Sequence, residues 1–284
     1  MSTPTQQKWF ITGASGGLGL ELTKKALADG HTVVAAVRKP EALAALAEQH
    51  AGRLVVEKLD VTRIDDIAAV AARHPDVDVL LNNAGGSILG AMEELSNAQV
   101  QQQLDLNLVA PIYLTRAMLP AMRAKKSGTI VYITSVGGRV SFPGGAMYHA
   151  AKFGLEGFAE SLAQEIAGFG IKTVIVEPGS MKTEFITNAN WTEESTAYKE
   201  GAVAAVRNYI RLHGEDNIAG DPVKIAAAIA GLIGQAAPPL RTALGVDTYG
   251  TLEKAYADNL QILQAQKDLA LSVAFEGKTG FAPI

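Results

Sequence analysis

The stretch TGASGGLG, Thr12 to Gly19, decides how this sequence is read. It follows the apolar run WFIT directly and leads into GLELTKKALADG, which has helical spacing. A glycine-dense loop that closes a strand and opens a helix is a phosphate-binding arrangement. Gly13, Gly17 and Gly19 are suited to three jobs: a tight turn, close approach of backbone to a pyrophosphate, and close packing of helix on sheet. The helix N-terminus then offers unpaired N–H groups and partial positive charge. Ser15, Gly16 and Leu18 complete the set of expected cofactor contacts in this loop. A glycine-rich turn without a ligand is the plain alternative, but ordering glycine is costly without a purpose. Gly13-Ala14-Ser15-Gly16-Gly17 also fits the Gly-x-Ser-x-Gly elbow of serine hydrolases. That fold requires an earlier strand and loop to donate an oxyanion-hole N–H, and too few residues precede Ser15 to supply them.

Outward from the loop, further apolar runs occur at TVVAAV, RLVVEKL, VDVLLNN, GTIVYITS and IKTVIVEP, with LRTALG as a last strand. Between the early runs lie stretches with helical spacing, such as PEALAALAEQH and RIDDIAAVAARH. This alternation predicts βαβ units in an α/β fold: a single domain built on a doubly wound parallel sheet of about seven strands, with helices on both faces. The runs are continuously apolar, as strands covered on both faces require. Gly30 is placed to end the first helix and Pro40 to open the second. Asp221 and Pro222 predict an N-cap and first position for a later helix, DPVKIAAAIAGLI. Residues 180–220 are mixed, with Phe185, Trp191, Tyr198 and Tyr209 among polar residues, and read as a helical excursion that covers a substrate. Residues 248–284 read as a C-terminal extension, helical over 248–272.

Composition narrows the function classes. The 284 residues carry a net charge of −4 without a long basic run, which argues against nucleic acid as a partner. The absence of cysteine excludes disulfides, thiol catalysis and cysteine-ligated zinc, and fits a reducing, cytoplasmic setting. No signal peptide is visible at the start, and no apolar stretch is long enough for a membrane span. The Asn190-Trp191-Thr192 match to a glycosylation acceptor is treated as chance. The five histidines show no His-x-x-x-His spacing, so no metal is implied.

The second strand ends AAVRKP. NAD sites commonly place an acidic residue near this point for the ribose 2′-hydroxyl. Here Arg38 and Lys39 stand instead, and a guanidinium suits a 2′-phosphate. NADP(H) is therefore expected in preference to NAD(H), whose use stays open. A solvated loop pair is the alternative, most naturally for Lys39. Asp60, in LDVT, either accepts from the adenine amino group or belongs to the cap region of the next helix. Val61 beside it joins the cofactor set.

YHAAK places the Tyr148 phenol and the Lys152 ammonium one helical turn apart on one face; taken alone, such a match is more often a surface pair than a proton-transfer device. Carbonyl reduction needs a proton on oxygen, and the reverse needs a base. A phenol with a pKa of about 10 is too high for efficient work at neutral pH. The ammonium, with the positive charge of an oxidised nicotinamide, is expected to lower it. Ser135, at the end of YITS, is expected at the ligand-binding edge of the sheet, either donating to a substrate oxygen or capping a turn. Asn107 lies within a helical pattern on an apolar face, where a buried amide needs partners, and neighbouring backbone in a purely structural role is one source of them. His149, next to the tyrosine, should point elsewhere on the helix and is read as structural.

TGASGGLG, NNAG (Asn82 to Gly85), Asn107, Ser135, YHAAK and PGSMKT (Pro178 to Thr183) occur in an order and spacing that resemble the short-chain dehydrogenase/reductase family. The resemblance covers about residues 8–185 and extends more loosely over 221–245. EELS at Glu93 to Ser96, KFGLEGFAESLA and the long C-terminus resemble most the branch with 17β-hydroxysteroid and retinol dehydrogenases. The resemblance implies a ketone or aldehyde/alcohol oxidoreductase with Tyr148 as acid/base, assisted by Lys152, Ser135 and Asn107. It implies that Lys152 also holds the nicotinamide ribose, and that Asn107 holds a water linking Lys152 to solvent. Asn82 would stabilise the central sheet, with Asn83, Ala84 and Gly85 beside the adenosine ribose. Pro178 and Gly179 would turn the chain around the nicotinamide, and Thr183 would either bond its carboxamide or cap a following helix. The implied partners are a small carbonyl or alcohol substrate and a second copy or three further copies of the chain, through the helices carrying Asn107 and Tyr148. A non-catalytic dinucleotide-binding sensor is the alternative function.

Overall fold

A computed structural model describes residues 6–183, 190–214, 218–275 and 277–278. The chain alternates β1 (Lys8–Thr12), α1 (Gly17–Ala28), β2 (Thr32–Val37), α2 (Ala44–Gln49), β3 (Leu54–Lys58), α3 (Ile64–Arg73) and β4 (Val79–Asn82). A short β5 (Ile88–Leu89) precedes α4 (Asn97–Leu104), which runs through a π-helical turn at Asp105–Val109 into α5 (Ala110–Lys125). Then follow β6 (Gly128–Ile133), α6 (Ala146–Ile166), β7 (Ile171–Pro178) and a short β8 (Asn190–Trp191). The chain continues through α7 (Ala202–His213), α8 (Pro222–Ile233), β9 (Arg241–Leu244), α9 (Val246–Ala265) and α10 (Lys267–Ser272).

Seven strands form one parallel sheet in the order β3-β2-β1-β4-β6-β7-β9, flanked by helices on both faces. This is the doubly wound architecture that the alternating pattern predicts. The period-two geometry of strands distributes the apolar runs between two cores. Trp9 and Ile11 enter the layer shared with α1 and α8, while Phe10 enters the layer shared with α3, α5 and α6. Val79 and Leu81 likewise oppose Leu80. Each such fully buried side chain contributes about 1.5–3 kcal/mol relative to exposure. The strand order reverses between β1 and β4, which opens a crevice at their C-terminal ends.

The stop signal at Gly30 and the start signal at Asp221 act as read. Gly30 takes φ +87° after α1, and the Asp221 carboxylate accepts from the backbone N–H groups of Val223 and Lys224 to cap α8. Pro40 opens a 3₁₀ turn, Pro40–Leu43, before α2 rather than α2 itself. The terminal helix breaks at Gln266, between α9 and α10. The described part of the segment read as covering a substrate contains β8 and α7, and β8 pairs with β5 in a separate two-stranded sheet. Phe185, read as part of that covering wall, lies outside the described residues.

Candidate active site

The glycine loop leaves β1 at the reversal point and is held from beneath by Thr12. The Thr12 hydroxyl accepts from the N–H groups of Asn83 (3.0 Å) and Ala84 (2.9 Å). The Asn83 amide donates to the Thr12 carbonyl at 2.8 Å. The loop after β1 and the loop after β4 are therefore one hydrogen-bonded unit. Gly17 adopts φ +50°, a left-handed conformation that disfavours side chains. A Cβ on Gly19 would collide with the Gly13 carbonyl and the Asn83 amide. The first turn of α1 has no side-chain cap and no acidic residue, and Gly16 faces open space. Uncapped N–H groups beside open space have the chemistry of an anion cradle, so these residues fit a pyrophosphate.

Around this cradle stand the remaining cofactor candidates. Leu18 turns its side chain into the core, so its backbone alone faces the loop. Ser15 is exposed and, among the described residues, its hydroxyl meets no histidine, so the hydrolase arrangement is absent from them. Arg38 follows β2, is exposed, and has no ion-pair partner among the described residues, which leaves its guanidinium open to an anion. One Asp60 oxygen accepts from the Thr62 N–H and hydroxyl at 3.0 and 2.7 Å. That closes a turn ahead of α3, whose N-cap position is held by Arg63. Val61 is buried beneath the same turn. Thr183 lies against Gly17, 3.3 Å from where a Cβ there would sit; the stretch in which it would cap a helix lies outside the described residues. Pro178 ends β7, and the Gly179–Ser180 turn is tied to α9: Asp247 accepts from the Ser180 N–H and hydroxyl at 2.8 and 2.7 Å.

The acid/base candidates come together at the same edge. Tyr148 is 7% exposed, and its hydroxyl is hydrogen-bonded to Ser135. Lys152 Nζ lies 5.9 Å from the Tyr148 ring centroid and donates to the Ile133 carbonyl at 3.0 Å. Ser135 follows β6 as the N-cap of a short 3₁₀ turn, its hydroxyl accepting from the Gly137 N–H at 2.9 Å. The turn-capping reading of Ser135 thus holds alongside its contact with Tyr148. Asn107, in the π-helical turn, donates to the carbonyls of Gly86 (3.0 Å) and Gln103 (3.1 Å) and accepts from the Gly86 N–H (3.2 Å). It is a backbone-bonded buried amide that docks the loop after β4 onto the helix. Gly85 passes between Asn107 and Lys152: a Cβ there would sit 3.0 Å from Asn107 Oδ1 and 3.7 Å from Lys152 Nζ.

The electrostatics depart from expectation in one respect. Burial pushes the Tyr148 phenol up to about 12, against a smaller lowering by the Ser135 hydrogen bond. The expected depression by Lys152 is therefore not met by the polypeptide alone. Lys152 is itself buried, and desolvation brings it down to about 8, partly opposed by the negative charge of Glu156. A phenol surrounded by apolar packing keeps its proton.

Some residues that shape the site had no assigned role in the sequence. Thr12 stood in the glycine motif as its leading residue. Asn82, at the end of β4, donates to the Thr115 hydroxyl on α5 at 3.2 Å, which itself meets the Tyr132 hydroxyl of β6 at 2.9 Å. His149 is structural as read. Its Nε2 accepts from the Phe142 N–H (3.1 Å), so Nδ1 carries the proton given to the Gly137 carbonyl (2.8 Å). It thereby pins the loop after Ser135 to α6. Asp247 carried no motif signal. Among the described residues no group of three acidic or histidine side chains is placed to hold a metal, and no helix is long and apolar enough to cross a membrane.

The family model described as short chain dehydrogenase matches residues 7–194. Retinol dehydrogenase 8 of Homo sapiens is 36% identical over 247 residues, 82% of this chain and 79% of that protein. The crystal structure of a short-chain dehydrogenase from Streptomyces avermitilis superposes with a TM-score of 0.86 at 37% identity, covering 94% of this chain and 100% of that one. A metagenomic short-chain oxidoreductase solved in complex with NADP gives a TM-score of 0.67 at 29% identity, covering 86% and 98%.

Proposed function

The chain belongs to the short-chain dehydrogenase/reductase family, whose members interconvert alcohols and carbonyl compounds, and from that premise we propose that it is an NADP(H)-dependent reductase of bulky apolar ketones or aldehydes. The observation that carries the reading is the buried Tyr148 hydroxyl, hydrogen-bonded to Ser135 with Lys152 5.9 Å from the ring, at the mouth of a crevice lined by an uncapped helix N-terminus. The NADP carried by a similar protein and the retinol named for another support the choice of cofactor and of substrate class. The open guanidinium of Arg38 supports the 2′-phosphate form.

When bound, the reduced dinucleotide supplies hydride to the carbonyl carbon. The remaining steps fall to this chain's own residues. Ser135 orients the carbonyl oxygen and stabilises the charge that develops on it. Tyr148 delivers its proton to that oxygen, and its high pKa keeps the proton in place until charge appears. Lys152 holds the nicotinamide ribose and favours the tyrosinate that results. Asn107 and the π-helical turn position a water through which the proton is replaced. Asn83, Ala84, Gly85, Asp60 and Val61 bind the adenosine end, and Pro178, Gly179 and Thr183 enclose the nicotinamide. Residues 180–220 cover the substrate. Tyr113 on α5 and Phe153 on α6 expose aromatic surface, which supports a homodimer or homotetramer formed through these helices.

The test is consumption of NADPH with a panel of bulky ketones, followed by reduced-nicotinamide absorbance. Tyr148→Phe is expected to lower turnover at least about a hundredfold while NADPH binding persists, since positioned proton transfer contributes about 10²–10⁴. Binding without consumption by the wild-type protein would replace this reading with the sensor.

A further inference from the structure

The loop after β5 meets the 190–214 segment through one carboxylate. Glu94 follows β5 in a 3₁₀ turn, and its side chain is 2% exposed. Oε2 accepts from the Ala91 N–H (3.0 Å), the Thr192 hydroxyl (2.9 Å) and Arg207 Nη2 (2.8 Å). Oε1 accepts from the Ser195 N–H (2.9 Å) and hydroxyl (3.1 Å). Five donors saturate a carboxylate, which offers about four lone-pair sites. Four of the five come from residues 98 to 113 positions away. Arg207, on α7, also reaches Glu194 at 3.3 Å and lies 5.2 Å from the centroid of the Trp191 ring.

The cluster is joined to the acid/base residues through backbone. Trp191 pairs with Leu89, and the Trp191 ring lies 3.7 Å from where a Cβ on Gly144 would sit. Gly144 stands four residues before Tyr148, and its carbonyl accepts from the Gly90 N–H at 2.8 Å. A Cβ on Gly90 would collide with Thr192. Glu94, the segment and the loop entering α6 thus share one packed junction.

We propose that Glu94 is a positioning residue that clasps the 190–214 segment through Arg207, Thr192 and Ser195, and that Trp191, held by this clasp against Gly144, is the specificity-determining wall for bulky apolar carbonyl substrates. The proposal rests on the reductase reading for the substrate, but the clasp itself is a property of the fold. A buried ion pair with saturated acceptors specifies one arrangement of a segment whose own sequence carries little periodicity. Removing one partner leaves the other charge desolvated and unpaired.

The experiment uses the full chain with Glu94→Gln, Arg207→Met and Trp191→Ala. Limited proteolysis at neutral pH reads the segment, and ketone kinetics read the wall. Glu94→Gln and Arg207→Met are expected to speed cleavage within 190–214 by about tenfold or more, since each leaves the other partner desolvated and without its charged hydrogen bond. Trp191→Ala is expected to leave cleavage near the wild-type rate. All three should raise KM for a bulky aryl ketone about tenfold, with a several-fold smaller rise for acetone and a smaller change in kcat. Arg207→Lys should restore part of the protection, as a single ammonium replaces one arm of the fork. Should a charge variant fail to fold, Thr192→Val and Ser195→Ala remove single donors and give a graded version of the same readout. Wild-type cleavage rates in these variants would overturn the clasp, and equal KM changes for small and bulky ketones would overturn the wall. If the wild-type protein reduces no ketone, the reductase reading fails while the cleavage rates still decide the clasp.

Discussion

The two sides of the crevice are held by different physics. On the cofactor side, the loops after β1 and β4 are locked by backbone and by one hydroxyl: Thr12 to Asn83 and Ala84, and Gly19 against Gly13. On the side proposed to face the substrate, the loop after β5 and the 190–214 segment are locked by charge, with Glu94 gathering donors from four residues. The first junction excludes volume and contains no formal charge. The second depends on an ionised carboxylate and on donors drawn from distant positions. A fixed pyrophosphate cradle calls for the first construction.

The sharpest way to break this contrast is Gly19→Val. Added branches would meet the Gly13 carbonyl and the Asn83 amide, and forced overpacking costs about 1–3 kcal/mol or more where the obstacle is backbone. NADPH binding, read by nucleotide fluorescence, should fall below detection, and thermal unfolding should move down by several degrees. Wild-type binding would show that the junction is not volume-limited.

Acid titration probes the other side. Burial acts to raise Glu94, but the hydrogen bonds from Ser195, Ala91, Thr192 and Arg207 outweigh it and hold the carboxyl at about 2, below its ordinary 4.5. A depressed folded-state pKa means that the attachment is complete above 4.5 and is lost as pH falls through about 2. In a Trp9→Phe background, Trp191 emission should therefore shift as pH falls through this window, and Glu94→Gln should remove the transition. An identical transition in Glu94→Gln would assign it to another group.

The smallest effect is expected at Arg38, which supports nothing else among the described residues. Arg38→Ser should weaken NADPH binding by about tenfold, the value of one charged contact, with NADH affinity and the melting temperature unchanged. Equal losses for both nucleotides would remove the 2′-phosphate from its role.

Much of this molecule was legible in the sequence because its determinants are local. The apolar runs became the strands of the sheet since a buried parallel strand needs apolar residues on both faces, and Gly30, Asp221 and Pro222 acted where backbone geometry required them. Tyr148, Lys152 and Ser135 converge because a helical turn and a strand end fix where they emerge. Asn107 was legible as a buried amide needing partners, but its three contacts with Gly86 and Gln103 depend on how the loop after β4 meets the π-helical turn. Thr12 was in plain view without a role, since the partners of a hydroxyl are not written beside it.

The doubly wound sheet, the glycine cradle and the order of the acid/base residues are written in the linear chain, since all follow from backbone preferences over a few neighbouring positions. The folded arrangement alone shows that Glu94 meets Thr192, Ser195 and Arg207, that Asp247 ties the Gly179–Ser180 turn to α9, and that in the polypeptide by itself burial raises the Tyr148 phenol. Those outcomes depend on which distant groups share a desolvated space, and solvation and charge pairing act through distance in the folded chain, not along it.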